Sequence, residues 1–329
     1  MDWKNKTVLI TGAEGFIGSH LTERLLSVEA RVKAFVMYNS FNKWGWIDTF
    51  PSQEVSKLNI ICGDIREVDL LKAALKDVDI VFHLAALIAI PYSYVSPSSF
   101  VKTNIEGTLN LLQCALESKV EKIIHTSTSE VYGTAQYVPI DERHPLQGQS
   151  PYAASKIGAD MLAESFYRSF NLPLVTVRPF NTYGPRQSAR AIIPTMIVQL
   201  LTGDTLKLGS LHPVRDFTFV SDTVEGFIKA AEAENIMGEV INLGSSQGIS
   251  IGDLAEKLIT MAGRSVSLEY EEERARPAKS EVNKLIANNR KAKDLMGWQP
   301  KVTIDEGLER TLHWFRENLK EYKSDLYTI

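Results

Sequence analysis

Cysteine is nearly absent. Two among 329 residues, Cys62 and Cys114, are too few for a disulfide framework and fit a reducing compartment. No stretch approaches the roughly 18 apolar residues of a membrane-spanning helix. The opening MDWKNKTVLI runs into a strand-like segment without an apolar signal core or cleavage site, so a cytoplasmic protein is expected. Excess charge of one sign is missing too. With 36 Lys and Arg against 40 Asp and Glu, a net charge of -4, the chain offers no general attraction to nucleic acid or an anionic membrane. The six histidines fall in no C-x-x-C or H-x-x-x-H spacing, which predicts no metal site. What remains is an ordinary globular chain, 44% hydrophobic and 23% charged, with room for a large core.

Within that chain, Thr7 to Gly18 reads TVLITGAEGFIG. Val8, Leu9 and Ile10 suit a buried parallel strand. Gly12 permits the tight turn that leaves it, Gly15 lets backbone N–H groups approach a pyrophosphate, and Gly18 lets the next helix pack closely, with Phe16 and Ile17 in its first turn. The spacing is G-x-x-G-x-x-G, and a glycine triplet after a strand also suits a plain packing turn. Strand-like runs (TVLI, RVKAFV, KLNIICG, DIVFHLA, KIIHTST, LPLVTVRP) alternate with amphipathic stretches at Ser19–Leu26, Leu70–Leu75 and Phe100–Leu116. That alternation predicts an α/β fold with a Rossmann-like, doubly wound parallel sheet. Gly12, Asp64, Ala85, Thr128 and Asn181 then all fall at carboxyl ends of strands, where such sheets bind ligands. Beyond Arg178 the pattern loosens into Gly-, Pro- and base-rich segments. Phe217–Val220, Val224–Ala233 and Glu239–Leu243 again look like strand, helix and strand. The expected division is therefore interleaved: 1–180 plus about 216–245 for the dinucleotide, and about 181–215 with 246–329 as a smaller substrate-binding part.

Tyr152 and Lys156 follow Ser150-Pro151, a helix start with Ser150 as cap and Pro151 at the first helical position. Four residues apart on a helix, they share a face. A cation near the phenol is expected to lower its pKa from ~10 towards neutrality and make it a usable base. An ordinary surface helix also carries such pairs. Tyr152 and Lys156 gain meaning from the glycine loop before them.

TGAEGFIG, GDI at Gly63–Ile65, HLAA at His83–Ala86, Asn104 in TNIEGT, STSEVYG at Ser127–Gly133, YAASK at Tyr152–Lys156 and RPFNTYGPR at Arg178–Arg186 come in one order. So do RDFTFV at Arg215–Val220, RPAKSEV at Arg276–Val282 and NNRKAKDLMGWQP at Asn288–Pro300. Together they resemble, almost end to end, the extended short-chain dehydrogenase/reductases that modify nucleotide sugars. The resemblance implies a tightly held, recycled NAD(P). Asp64 and Ile65 would contact adenine, Leu84, Ala85, Ala86 and Asn104 would line the cofactor, and Lys156 would hold the nicotinamide ribose. It implies a nucleotide-sugar substrate whose diphosphate and surroundings meet Asn181, Arg190, Arg215 and Arg276, with the base gripped near Ile193–Met196 and Leu206–Leu208. It also implies a homodimer through a four-helix bundle, with Val101, Ile105, Leu109, Leu112, Ala159, Leu162 and Phe166 as its seam.

Glu130 narrows the reaction. Thr128-Ser129-Glu130 resembles the triplet of GDP-mannose 4,6-dehydratases and departs from the Thr-Asp-Glu of dTDP-glucose 4,6-dehydratases. Once C4 is a ketone the C5 proton is acidic, and a carboxylate over C5 can remove it while the C6 hydroxyl leaves. Ser129 cannot act as the acid for that hydroxyl, which leaves protonated Glu130 or a water. A 4-epimerase, a UDP-glucuronate decarboxylase with the same Thr-Ser-Glu, and a non-enzymatic dinucleotide sensor are the alternatives. The second strand ends Phe35-Val36-Met37-Tyr38-Asn39-Ser40, without the acid that usually binds NAD and without an Arg for NADP. Asn39 and Ser40 remain as cofactor contacts, and family frequency puts NAD ahead. The aromatic run MYNSFNKWGWID at Met37–Asp48 resembles dehydratases of legionaminic-acid-type pathways, which act on nucleotide-linked N-acetylglucosamine. Packing of a long loop over the adenine side explains it equally well.

Overall fold

The computed structural model describes residues 1–322. Twelve strands are present among them: β1 Thr7–Thr11, β2 Arg31–Met37, β3 Asn59–Gly63, β4 Ile80–His83, β5 Lys122–Thr126, β6 Leu174–Pro179, β7 Asn181–Tyr183, β8 Thr205–Leu208, β9 Val214–Phe219, β10 Val240–Leu243, β11 Gly248–Ser250 and β12 Ser267–Tyr270. Seven form one parallel sheet in the order β10-β6-β5-β4-β1-β2-β3. Helices cover both faces, so its central strands are apolar throughout: Val8, Leu9, Ile10, Val81 and Phe82 have no exposed surface. The Rossmann-like expectation holds. The order reverses between β1 and β4, where Thr11 pairs with His83. That switch point opens a crevice at the carboxyl ends of the strands.

After β6 the chain leaves the sheet, and it returns as β10. Between and after these strands it builds two small sheets, β11-β9-β7 and β12-β8. The first of them starts just past the carboxyl end of β6, with only Phe180 between β6 and β7. Boundaries differ slightly from expectation: the helix foreseen at Val224–Ala233 spans Val220–Glu232. The one foreseen at Phe100–Leu116 begins with a π-helical turn, Val101–Glu106, before the regular Gly107–Ser118. A widened turn leaves no trace in apolar spacing. Of the seam residues, Leu112, Ala159 and Phe166 are buried within the monomer, because they face the sheet. Val101 is the one left exposed, at 45%; Met161, outside the expected seam, is exposed beside Leu162 at 44%.

The helix Pro151–Phe170 is fixed by a buried ion pair. Asp160 Oδ2 accepts from Arg178 Nη2 at 2.9 Å and Nε at 3.2 Å and from Ser127 Oγ at 2.6 Å, while Oδ1 faces His125 Nε2 at 3.1 Å. Burial pushes this carboxyl up, but the His125 bond and the Arg178 charge outweigh it and hold the pKa at about 2. Arg178→Met strands that carboxylate and is expected to lower stability by roughly 3–5 kcal/mol in urea unfolding. A loss below about 1 kcal/mol would show that the pair does not organise the helix.

Candidate active site

β1 hands the chain to the glycine loop. Gly12 has φ +73, and a Cβ there would lie 3.0 Å from Ala85 Cα; at Gly18 it would lie 2.0 Å from the Gly12 carbonyl oxygen. Substitution therefore closes the loop. The helix Phe16–Ser27 starts at Gly15 with no side-chain cap, so its first N–H groups remain for an anion. The loop's sides are made rigid from behind. Thr11 Oγ1 accepts from Ala85 N at 3.2 Å, and Asn104 accepts from Leu87 N at 2.8 Å while donating to Leu87 O and Ser155 Oγ, each at 2.9 Å. Asn104 is 1% exposed, so it serves as a strut tying the Leu84–Leu87 wall to the helix Pro151–Phe170. At the adenine end, Ile65 is buried and Asp64 Oδ1 binds Arg66 Nε at 2.9 Å, which lowers the Asp64 pKa. Asn39 turns inwards on its own loop, donating to Lys43 O at 2.7 Å, and Ser40 is exposed. A cradle that a Cβ would fill and an uncapped helix start fit a dinucleotide.

The reacting groups meet beyond β5. Ser150 caps its helix by accepting from Ala153 N at 3.1 Å with Pro151 next, and this start brings Tyr152 and Lys156 to one face. Thr128 Oγ1 accepts from Glu130 N at 3.2 Å, capping the single turn Ser129–Tyr132. Thr128 is also close enough to the Tyr152 phenol to lower its pKa, and Glu130 is close enough to act on it through charge. Glu130 is 8% exposed and Ser129 2%. Lys156 Nζ donates to Thr126 O at 2.6 Å. Burial pulls its pKa down to about 8, opposed by Asp160 one turn along the helix.

The phenol departs from expectation. Burial pushes its pKa up, the Glu130 and Asp160 charges add to that, and only the neighbouring Thr128 hydroxyl opposes. Lys156 points its ammonium at a carbonyl, so the protein alone keeps Tyr152 protonated.

Arginines from the chain beyond β6 reach the same cleft, Arg215 from β9 and Arg276 from the loop after β12. Arg276 Nη1 lies 3.5 Å from Glu130 Oε2, and Arg215, on β9, donates through Nη2 to Glu281 Oε1 at 3.3 Å. Asn181 opens β7 with a buried Oδ1 that meets no donor among the described residues. Leu208 is in the apolar core at 1% exposure, and Arg190 is exposed on the loop before the helix Ile192–Thr202. Asp160, Arg178, Glu281 and Glu14 were not foreseen as site residues. Asp160 alone left a signal, one turn past Lys156.

Residues 9–311 match the family model for GDP-mannose 4,6 dehydratase. The chain belongs to that family. A human dTDP-D-glucose 4,6-dehydratase is 31% identical across 97% of this chain and 92% of its own length. Among solved structures, DesIV from Streptomyces venezuelae, a dTDP-glucose 4,6-dehydratase with NAD and TYD bound, superposes with a TM-score of 0.88 at 31% identity, covering 96% of this chain and 99% of its own. A UDP-glucose 4-epimerase from Thermotoga maritima reaches 0.86 at 30% identity, covering 95% and 99%. The family and the enzyme class implied by the sequence, a nucleotide-sugar 4,6-dehydratase of the short-chain dehydrogenase/reductase type, are thereby shown. Among the described residues no helix is long and apolar enough to cross a membrane.

Lys156 supplies a test. Between pH 8 and its ordinary 10.5 the unfolded chain holds this proton and the folded chain does not, so the buried ammonium destabilises the fold below pH 8 and that penalty fades as pH rises. Lys156→Met, stripped of nucleotide, should be more stable than wild type by roughly 1–3 kcal/mol at pH 7 in urea unfolding. The gain should shrink towards pH 10. A variant less stable at pH 7, with no pH dependence, contradicts this account.

Proposed function

We propose that the enzyme uses NAD to convert a nucleotide-linked hexose, N-acetylglucosamine on UDP or GDP, to its 4-keto-6-deoxy form. The observation that carries the dehydration is the buried Glu130 carboxylate in the same cleft as the Tyr152 phenol, with Thr128 bonded to Glu130 N and lying beside the phenol. An epimerisation at C4 has no use for that carboxylate. NAD in DesIV supports the cofactor, and the aromatic Met37–Asp48 loop supports the amino sugar. The glycine loop, Asp64, Ile65 and the Leu84–Ala86 wall would hold the dinucleotide. Lys156 would hold its ribose. Residues about 181–215 and 246–322 would form the sugar-nucleotide part, the expected remainder 323–329 lying outside the described residues, with Asn181, Arg190, Arg215 and Arg276 towards the diphosphate.

When bound, the nicotinamide supplies the acceptor for hydride from C4 and the donor for C6, and its positive charge opposes the upward push of burial on the phenol. Tyr152, with Thr128 beside it, takes the proton from the C4 hydroxyl. Glu130 then removes the C5 proton; the C5–H and C6–O bonds break, a C5–C6 double bond forms, and Glu130 passes its proton to the leaving hydroxyl as water. As hydride would come back at C6, Glu130 delivers a proton taken from solvent to C5, the double bond is lost, and Tyr152 releases the C4 hydroxyl proton to solvent. Ser129 lines this space without an acidic proton to give. Arg276 beside Glu130 also suits a C6 carboxylate, which favours decarboxylation of a uronic acid as the second reading. For assembly, exposed Val101 on the π-helical turn before Gly107–Ser118 and exposed Met161 on Pro151–Phe170 support a homodimer through these two helices.

Incubation with UDP- and GDP-N-acetylglucosamine should give a product lighter by one water by mass spectrometry. Unchanged mass would mean epimerisation, and carbon dioxide from UDP-glucuronate would mean decarboxylation. Tyr152→Phe should reduce turnover by about 10²-fold or more. Glu130→Gln should still bind cofactor but stop solvent deuterium from entering C5; normal entry removes Glu130 from the role of base.

A further inference from the structure

In Rossmann-type sheets the acid that binds the adenosine ribose sits at the end of the second strand, about 20 residues past the glycines. Here that end is Met37-Tyr38-Asn39-Ser40, with no acid. Asn39 is taken by its own turn, since its Oδ1 accepts from Phe41 N at 3.1 Å while its amide binds Lys43 O.

A carboxylate reaches the same place from the other side. Gly12 N and Ala13 N both donate to Phe35 O, at 3.0 and 3.4 Å, so the glycine loop lies across the end of β2. Glu14, between the first two glycines, accepts from Met37 N through Oε1 at 2.8 Å. Its backbone is clamped as well: Trp46 N donates to Glu14 O at 3.0 Å, and a Cβ on Gly45, at φ +56, would come within 2.6 Å of that oxygen. The other carboxylate oxygen, Oε2, is buried and has no donor. A buried carboxylate oxygen without a donor is costly, and hydroxyl groups are the partners that satisfy it. Burial accordingly pushes the Glu14 pKa up, with the Met37 bond opposing. Of the nearby cations, Arg66 after β3 is bound by Asp64, and Lys43 is exposed on the loop.

We propose that Glu14 is the residue that recognises the adenosine ribose, accepting its hydroxyls where β2 provides no acid, and that it thereby selects NAD over NADP. The proposal rests on the dinucleotide reading above. A ribose hydroxyl can donate to a carboxylate, whereas a 2′-phosphate brings negative charge against it in a partly dry site.

Nucleotide-stripped, full-length enzyme is titrated with NAD+ and with NADP+ by calorimetry. Wild type should bind NAD+ more tightly by about 10²-fold, the scale of losing a charge-assisted hydrogen bond and gaining a repulsion. Glu14→Gln keeps a carbonyl oxygen for Met37 N–H, so a purely structural role would leave the ratio of affinities unchanged. The proposal expects NAD+ to weaken by about tenfold and the preference to narrow by at least as much. A second measurement uses wild type alone: 2′-deoxy-NAD+ should bind about tenfold more weakly than NAD+. An unchanged ratio in Glu14→Gln, or equal affinity for NAD+ and its 2′-deoxy analogue, overturns the proposal. Wild type that binds neither NAD+ nor NADP+ overturns the dinucleotide reading itself, and the proposal with it.

Discussion

The Asp160 carboxylate is the charge around which the catalytic end of the sheet is assembled. It draws His125 and Ser127 from β5 and its exit and Arg178 from β6 onto one face of the helix Pro151–Phe170. Tyr152 and Lys156 lie two turns and one turn earlier on that helix, so whatever fixes Asp160 fixes their height above the strands. The network continues outwards. Arg178 Nη1 donates to the Tyr132 hydroxyl at 3.0 Å, and Tyr132 donates to Asn242 Oδ1 on β10 at 2.8 Å. Tyr132 closes the turn that carries Glu130. One buried anion thus positions phenol and ammonium on one helix and the carboxylate on a separate turn, in a dry environment where each bond is strong and each unpaired group expensive.

The other half of the cleft is built from alternating charges. Glu130 faces Arg276, and Arg215 faces Glu281. Two of the groups expected to meet a diphosphate, Arg276 and Arg215, are therefore already engaged with carboxylates, one of them the base of the proposed elimination. This couples the remote handle of the substrate to the reacting ring, since a ligand that competes for Arg276 also changes what surrounds Glu130. Binding energy from a non-reacting part of a substrate is available to catalysis only through such connections.

Much of this was legible in the sequence where the physics is local. The turn at Gly12, the Ser150-Pro151 helix start and the Tyr152/Lys156 face follow from spacing alone, because a strand, a tight turn and a helix repeat fix them within a few residues. The alternation of strands and helices was enough for the parallel sheet; of the later run, Glu239–Leu243 joins that sheet as β10, whereas Phe217–Val220 goes into β9 of a small sheet. What was not legible depends on chain segments far apart. Asp160 and Arg178 are 18 residues apart, and Glu130 and Arg276 lie on opposite sides of the cleft. Asn104 shows polarity in sequence but not that its amide is used between a loop and a helix. The phenol was misjudged for a related reason: the lysine's position on the helix was right, but the direction of its ammonium, towards Thr126 O, is set by β5.

The central claim is that this arrangement holds one hexose so that hydride leaves C4 and comes back at C6 of the same molecule. The direct measurement uses a nucleotide-linked hexose carrying deuterium at C4, turned over in ordinary water and examined by proton NMR. Deuterium at C6 of the 4-keto product, with no exchange between labelled and unlabelled molecules mixed in one reaction, is the predicted result. Deuterium found again at C4, in a product that has kept its C6 hydroxyl, would contradict the account.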